Sequence, residues 1–209
     1  MGMRLQYVSI PDSSVERLRR EPDLAPSLFT EELLSAAPAG LLERMQKQLS
    51  AMGLGNAFPR LVRDDDDDRR GSSNAGHSAT RPDAVRGGLE KAWHGLHFVF
   101  TGRADEAPAP FGYLLSGGEE MGEDLGYGPA RYLTLAEVGR FRDVLLAIGE
   151  QEFDRRFDLA ALEQNDIYPG CWDEDRDELL EEYTEYFDLL KAELGRTVDA
   201  GEGLLILLE

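Results

Sequence analysis

The sequence predicts an α+β fold, a helix-rich single domain around a small mixed sheet that includes the N-terminal and C-terminal strands. Residues 4–10 alternate in character and stop at Pro11, as a short strand does. Residues 204–208 form a continuously apolar run, which is typical of a strand buried on both faces. Between them, apolar residues recur at helical spacing. We therefore expect the last strand to pair centrally in a sheet that also contains the first.

The predicted helices follow from the apolar spacing and from capping residues. A capping box, Thr134 to Glu137, begins a helix whose buried face runs to Ile148. A short strand is expected at 111–115, before a Gly-rich segment. Five further helices are predicted: one that ends at Arg20, and others over 28–36, 41–52, 85–100 and 159–164. The longest helix is predicted after Trp172, with Asp173 as its N-cap. Its inward face is expected to consist of Leu179, Tyr183, Phe187, Leu190 and Leu194.

The chain has 209 residues, of which 42% are hydrophobic, enough for one sizeable core. We expect a single domain over 1–209 with a flexible acidic insertion at about 56–82. The insertion contains five consecutive aspartates, Asp64 to Asp68, but not the Asp-x-Asp-x-Asp-Gly pattern that shapes a calcium loop. It therefore predicts a solvated loop, and no metal site is predicted anywhere in the chain.

The chain is strongly acidic, with 41 Asp and Glu residues against 22 Lys and Arg and a formal net charge of -19. Such a field repels phosphate backbones and anionic lipids, so neither nucleic acid nor a membrane is an expected partner. A basic protein is a possible partner. A single cysteine, Cys171, and the lack of a signal-peptide pattern favour a cytoplasmic location.

Three segments carry the residues that chemistry needs. The first is the histidine pair His94 and His97, which lies on one flank of its predicted helix. The second is the Gly-rich acidic segment 116–132, where five glycines lie among four carboxylates, and the third is the turn at 166–173. Together they supply the candidate pocket: His94, His97, Glu119, Glu120, Glu123, Asp124, Tyr127, Arg131, Asp166, Tyr168 and Trp172.

Each segment has a chemical and a structural interpretation. The carboxylates are candidate acids, bases or hard-metal ligands, with Arg131 as an anion anchor. Alternatively, one carboxylate pairs with Arg131 and the histidines are hydrogen-bonded packing residues. The position of Trp172 favours a role as a packing anchor. Cys171 lacks the basic neighbour in sequence that would lower its pKa and activate it as a nucleophile.

Three stretches carry a family resemblance: residues 89–98, residues 118–133 and Asp166-Ile167-Tyr168-Pro169. They resemble the YfbM-like family of bacterial proteins, a domain-of-unknown-function group. The resemblance spans most of 84–209 and includes the opening residues, whereas the segment around 55–82 departs from it. It implies a compact α+β domain of a stand-alone bacterial cytoplasmic protein, for which no reaction is implied.

Two functional hypotheses follow. The first is a non-catalytic binding or interaction protein, with an inhibitor or immunity factor as one form, that uses an acidic surface or the Gly-rich cleft to hold a partner. The alternative is an enzyme or small-ligand-binding protein with a His, carboxylate and Arg pocket. The sequence specifies no cofactor and no oligomeric state, and it favours the non-catalytic hypothesis.

Overall fold

The computed structural model describes residues 2–22, 25, 28–29, 85–124 and 126–209. Apart from 28–29, the helices predicted over 28–36 and 41–52 lie outside the described residues. The predicted insertion at 56–82 lies outside them as well. The described residues form one α+β domain, as the sequence predicted.

The sheet has five strands in the order β2-β1-β5-β4-β3, so the C-terminal strand is central and the N-terminal strand pairs with it, as predicted. All four pairings are antiparallel, and the sheet is therefore antiparallel and not mixed. The strands are β1 (Leu5–Ile10), β2 (Arg86–Glu90), β3 (Glu119–Met121), β4 (Ala130–Leu133) and β5 (Gly203–Leu208).

The central position of β5 follows from its apolar run. Successive side chains in a strand point to opposite faces, so Leu204 and Ile206 face one core while Leu205 and Leu207 face another. The larger core lies against the helices that follow β2. The smaller core lies against α1, through Val15 and neighbouring residues.

The described helices are α1 (Asp12–Arg20), α2 (Trp93–Thr101), α3 (Leu135–Leu146), α4 (Glu150–Arg156), α5 (Leu159–Gln164) and α6 (Arg176–Asp199), with a 3-10 helix at Phe111–Leu114. The predicted capping box of Thr134 and Glu137 begins α3. The predicted inward face of α6 is buried. None of the helices in the described part of the chain is long and apolar enough to cross a membrane.

Three local predictions were wrong. Residues 86–90 form β2 and not the start of a helix, because they pair with β1. The pairing is close: a Cβ at Gly87 would meet the Tyr7 hydroxyl at 2.8 Å, and one at Gly88 would meet the Leu5 carbonyl oxygen at 2.8 Å. Residues 111–114 form a 3-10 helix instead of a strand, since the Tyr113 N–H donates to Pro110 O and the Leu115 N–H to Gly112 O, each three residues back. The N-cap of α6 is Asp175 and not Asp173: its carboxylate accepts hydrogen bonds from Asp177 N at 2.9 Å and Glu178 N at 3.1 Å.

Candidate functional site

The histidine pair on α2 holds the loop that follows the same helix. His94 Nε2 lies 2.7 Å from the Ala104 carbonyl oxygen, and His97 Nε2 lies 2.8 Å from that of Asp105. A carbonyl oxygen only accepts, so both Nε2 atoms carry the proton and donate. The two histidines therefore donate to consecutive residues of one loop. Their three-residue spacing places both rings on the same side of α2, where they can reach that loop.

His94 also joins α2 to the Tyr-Pro turn. The backbone N–H of Tyr168 donates to His94 Nδ1 at 3.0 Å, so both ring nitrogens of His94 are engaged. The His94 ring stacks on Trp93 at a centroid distance of 4.8 Å, and Trp93 stacks on Tyr168 at 6.1 Å. Two of the three predicted clusters thus meet directly.

Burial sets the protonation of this histidine cluster. His97 is fully buried and His94 is half-buried. Desolvation lowers the pKa of both imidazoles from the ordinary 6.5, against the opposing effect of their hydrogen bonds to backbone carbonyls. Both rings are accordingly neutral at pH 7. His94 uses both ring nitrogens, whereas His97 uses only Nε2 and its buried Nδ1 has no hydrogen-bond partner among the described residues. Both neutral rings link α2 to neighbouring segments.

The Tyr-Pro turn is anchored from its other side by Trp172. The indole Nε1–H donates to the Ile167 carbonyl at 2.6 Å, and the buried ring contacts Phe157 and Tyr183. This agrees with the interpretation of Trp172 as a packing anchor. Asp166 is exposed at the start of the turn, with a φ of 51°.

Arg131, on β4, is committed to the end of the 3-10 helix. Its Nη1 donates to Gly117 O at 2.9 Å and Tyr113 O at 3.2 Å, and its Nη2 donates to Leu114 O at 2.7 Å. Burial lowers the pKa of Arg131 to about 10, while nearby carboxylates oppose the shift. A cation at the carbonyl end of a helix is electrostatically favourable. Arg131 therefore fixes the path of the Gly-rich segment with backbone carbonyls where an anion anchor was expected.

The carboxylates of the Gly-rich segment are distributed over β3 and the loop after it. Glu119 forms a two-pronged ion pair with Arg19 of α1, at 2.9 and 2.6 Å, which holds the pKa of Glu119 below its usual range. Glu120 is exposed and pairs in register with Arg131 across the strands. Glu123 is exposed as well.

Asp124 shapes the loop between β3 and β4. Its Oδ1 accepts the N–H groups of Gly126 at 2.7 Å and Gly128 at 2.8 Å, and these bonds lower its pKa. Gly126 and Gly128 have φ of 117° and 97°, a region open to glycine, and Tyr127 between them is 54% exposed. The Asp124 carboxylate thus presents Tyr127 to solvent.

The structure therefore joins the histidine helix to the Tyr-Pro turn, whereas the contacts of the Gly-rich segment run to the 3-10 helix and to α1. A single pocket formed by all three clusters stays a prediction. Within the described ranges, no group of three or more His, Cys, Asp or Glu residues is arranged to hold a metal ion. Burial raises the pKa of the half-buried Cys171, aided by neighbouring carboxylates, so its thiol is protonated and unreactive at neutral pH.

Sequence reasoning missed a groove between α4 and α6, with a volume of about 350 Å³. Its lining comes from α4, a helix that the sequence analysis did not predict, and from α6, whose apolar face was assigned to the core. Periodicity therefore gave no signal of an opening. The groove is lined by Glu150, Gln151, Phe153, Asp154, Leu180, Thr184, Phe187, Asp188 and Lys191. A second groove of about 550 Å³ lies beside it and shares Gln151 and Asp154.

The buried pair Ser9 and Glu202 was also missed. The Ser9 hydroxyl donates to a Glu202 carboxylate oxygen at 2.7 Å and accepts from the Val85 N–H at 2.9 Å. Gly201 and Gly203, which flank Glu202, were the only sequence signal at this position. The pair ties β1 to the segment before β5.

Comparison with known proteins agrees with this architecture. The model of a family described as a domain of unknown function, DUF1877, matches residues 1–207. A crystal structure of YfbM, a protein of unknown function from Escherichia coli, is similar over 99% of both chains, with a TM-score of 0.59 and 16% sequence identity. No curated protein matches the chain. These findings confirm the YfbM-like resemblance of the sequence, and the chain belongs to the DUF1877 family of domains of unknown function.

Proposed function

We propose that this protein is a non-catalytic binding protein that holds a basic protein partner on the acidic face. The acidic face is the exposed surface of the N-terminal half of α6 and of the turn before it. Nine of the sixteen residues from 173 to 188 are acidic, against one arginine. They are Asp173, Glu174, Asp175, Asp177, Glu178, Glu181, Glu182, Glu185 and Asp188. This concentration of charge is the observation that carries the proposal.

The geometry of α6 supports the proposal because its two sides have separate tasks. Leu179, Tyr183 and Phe187 are buried against the core and fix the helix. The acidic residues Glu174, Asp177, Glu178, Glu181 and Asp188 are exposed. A rigid helix thus presents carboxylates at fixed spacing, which favours electrostatic steering of a positively charged protein.

The contacts of the rival candidates support the same proposal. The alternative hypothesis of an enzyme pocket relies on His94, His97 and Arg131. His97 Nδ1 has no partner in the described part of the chain, but the ring is fully buried away from solvent. His94 uses both nitrogens on backbone groups, and Arg131 donates to three backbone carbonyls. These atoms are engaged in holding loops, so the solvent-facing carboxylates of α6 are better placed to bind. A bacterial cytoplasmic setting is part of the proposal, and the single cysteine supports it.

The test removes charge from the acidic face and compares the loss with an equal loss elsewhere. The face variant carries Glu174→Gln, Asp177→Asn and Glu181→Gln. The matched control carries Asp143→Asn, Glu163→Gln and Asp199→Asn, which are exposed acids outside the face. Both variants have the same net charge. Each protein is immobilised and used to capture proteins from a lysate of the native host at increasing NaCl.

We expect wild type and the matched control to retain a stoichiometric basic protein that salt releases. The face variant should bind it about tenfold more weakly, since three exposed charges at about 0.5 kcal/mol each amount to one decade of affinity. Recovery of no stoichiometric partner by wild type, or equal recovery by all three proteins, would refute the proposal.

A further inference from the structure

The groove between α4 and α6 opens beside the acidic face and has an apolar floor with an acidic rim. Phe153 and Phe187 belong to the aromatic core, where their rings stack at 4.6 Å, and both also border the groove. Three carboxylates, those of Glu150, Asp154 and Asp188, line it against the single ammonium of Lys191. Asp188 belongs to the acidic face as well, so the two surfaces are continuous.

The groove already stabilises one cation. Lys191 Nζ lies 4.0 Å from the centroid of the Phe187 ring and 2.7 Å from Asp188 Oδ1. A cation over an aromatic face gains from the ring quadrupole, and the adjacent carboxylate adds charge attraction. The pair shows that aromatic and acidic groups are arranged here as a cation-binding surface needs.

The opposite end of the groove has a carboxylate for a second cation. Glu150 is exposed in the first turn of α4, and among the described residues no cation lies within ion-pair distance of it. Asp154 is already paired with Arg176 at 2.5 Å. Glu150 is therefore the groove carboxylate with capacity for an incoming positive charge.

The neighbouring groove is a poorer candidate for the same occupant. Its lining carries two carboxylates, Asp154 and Asp158, and two guanidinium groups, Arg155 and Arg176, so it has no net charge. Asp154 pairs with Arg176 and Asp188 with Lys191, which leaves Glu150 as the carboxylate of the groove between α4 and α6 for an incoming cation. Charge complementarity thus selects that groove.

We propose that the groove between α4 and α6 seats an arginine side chain of the basic protein partner, an inference that rests on the proposed function. The methylene groups of arginine lie on the apolar floor, and the guanidinium reaches Glu150. Arginine fits better than lysine because its planar guanidinium pairs with a carboxylate through two parallel bonds, whereas an ammonium acts as a point charge. A groove of about 350 Å³ has room for one such side chain.

The experiment uses fluorescently labelled hexa-arginine and hexa-lysine peptides, titrated with the full chain at 50 mM NaCl. Thr184→Phe fills the groove, because Thr184 lies on its wall and is half-buried. Glu150→Gln removes the proposed partner of the guanidinium without changing size. Glu163→Gln is the control, since it removes one exposed charge outside the groove. Circular dichroism checks that each variant is folded.

We expect Thr184→Phe to weaken hexa-arginine binding about tenfold and hexa-lysine binding less than threefold. Glu150→Gln should weaken hexa-arginine binding about threefold, and Glu163→Gln should leave it unchanged. If Thr184→Phe does not fold, the comparison of Glu150→Gln with Glu163→Gln decides the question.

The two proposals fail in different ways. If the face variant weakens both peptides while Thr184→Phe and Glu150→Gln bind as wild type does, the groove is refuted and the acidic face stands. If neither peptide binds wild type, or the face variant binds as tightly as its matched control, the proposed function fails and the groove proposal fails with it.

Discussion

The histidine cluster and the acidic face use charged and polar side chains in opposite ways. In the cluster, three of the four imidazole nitrogens bond to backbone groups of other segments. On the acidic face, Asp173, Glu174 and Glu178 are exposed to solvent, at or just before the start of a helix whose other side is packed. The first arrangement holds loops in place, and the second leaves charge available to another molecule.

This difference shows that the type of a residue alone does not determine its role in the structure. His94 and Arg131 are residue types that active sites use, yet their polar atoms are directed to backbone partners. The acidic residues of α6 are of a type that most often serves solubility. The direction of the polar atoms decides which group can bind another molecule, and only the three-dimensional structure shows that direction.

The largest loss of stability is expected on substitution of Arg131, which like His94 bonds to backbone groups. Arg131→Met keeps the apolar stem and removes the guanidinium, so the carbonyls of Tyr113, Leu114 and Gly117 lose a donor. Hydrogen bonds to charged groups and partly buried acceptors are costly to lose, so the free energy of unfolding should fall by about 3 kcal/mol. Urea denaturation followed by circular dichroism measures the loss.

Arg19→Met is the matched control for that experiment, because Arg19 is an arginine engaged with the exposed carboxylates Glu16 and Glu119. Exposed ion pairs contribute little, so this variant should lose much less stability. A loss at Arg131 no larger than that at Arg19 would contradict the anchoring role of Arg131.

Much of the fold could be predicted from the sequence because its strongest signals are local. The apolar run of β5 and the capping box of α3 each specify one structure with neighbouring residues alone. The assignment of residues 85–92 to a helix failed because the apolar spacing fits both periods. The deciding contacts of Gly87 and Gly88 with β1 come from residues about 80 positions away.

The candidate site could be predicted only in part, for the same reason. The sequence identified the histidines and the Tyr-Pro turn, and the structure brings them together through the His94 bond to Tyr168. It did not reveal the carbonyl partners of Arg131 or the ion pair between Arg19 and Glu119, which are 100 positions apart. The groove between α4 and α6 depends on how two helices pack, which periodicity does not encode.

A smaller effect is expected at His94. His94→Phe keeps an aromatic ring against Trp93 and removes both hydrogen bonds, so it should lower the free energy of unfolding at pH 8 by about 2 kcal/mol. The unfolded chain protonates this histidine below pH 6.5, whereas burial lowers the pKa in the native state. Below pH 6.5 the unfolded state of wild type therefore binds more protons than its native state, and the free energy of unfolding falls. The His94→Phe variant has no imidazole at this position and does not show this loss.

The stability gap between wild type and His94→Phe should consequently narrow as the pH falls from 7.5 to 5.5. Urea denaturation of both proteins at each pH measures the gap, and the carboxylates that titrate in both cancel in the difference. A gap that stays constant or widens would show that His94 is not held neutral by burial.

The smallest effect is expected on the acidic face, and it completes the comparison. The face variant, with Glu174→Gln, Asp177→Asn and Glu181→Gln, should change the free energy of unfolding by no more than about 0.5 kcal/mol. Relief of repulsion among carboxylates offsets the loss of favourable charge near the helix N-terminus, and 0.5 M NaCl should remove what difference remains. Urea denaturation at 20 mM and 500 mM NaCl measures it. A loss above about 1.5 kcal/mol at both salt concentrations would mean that these carboxylates hold the fold together, as the histidine cluster does, and a weaker interaction of this variant with a partner would then follow from its instability.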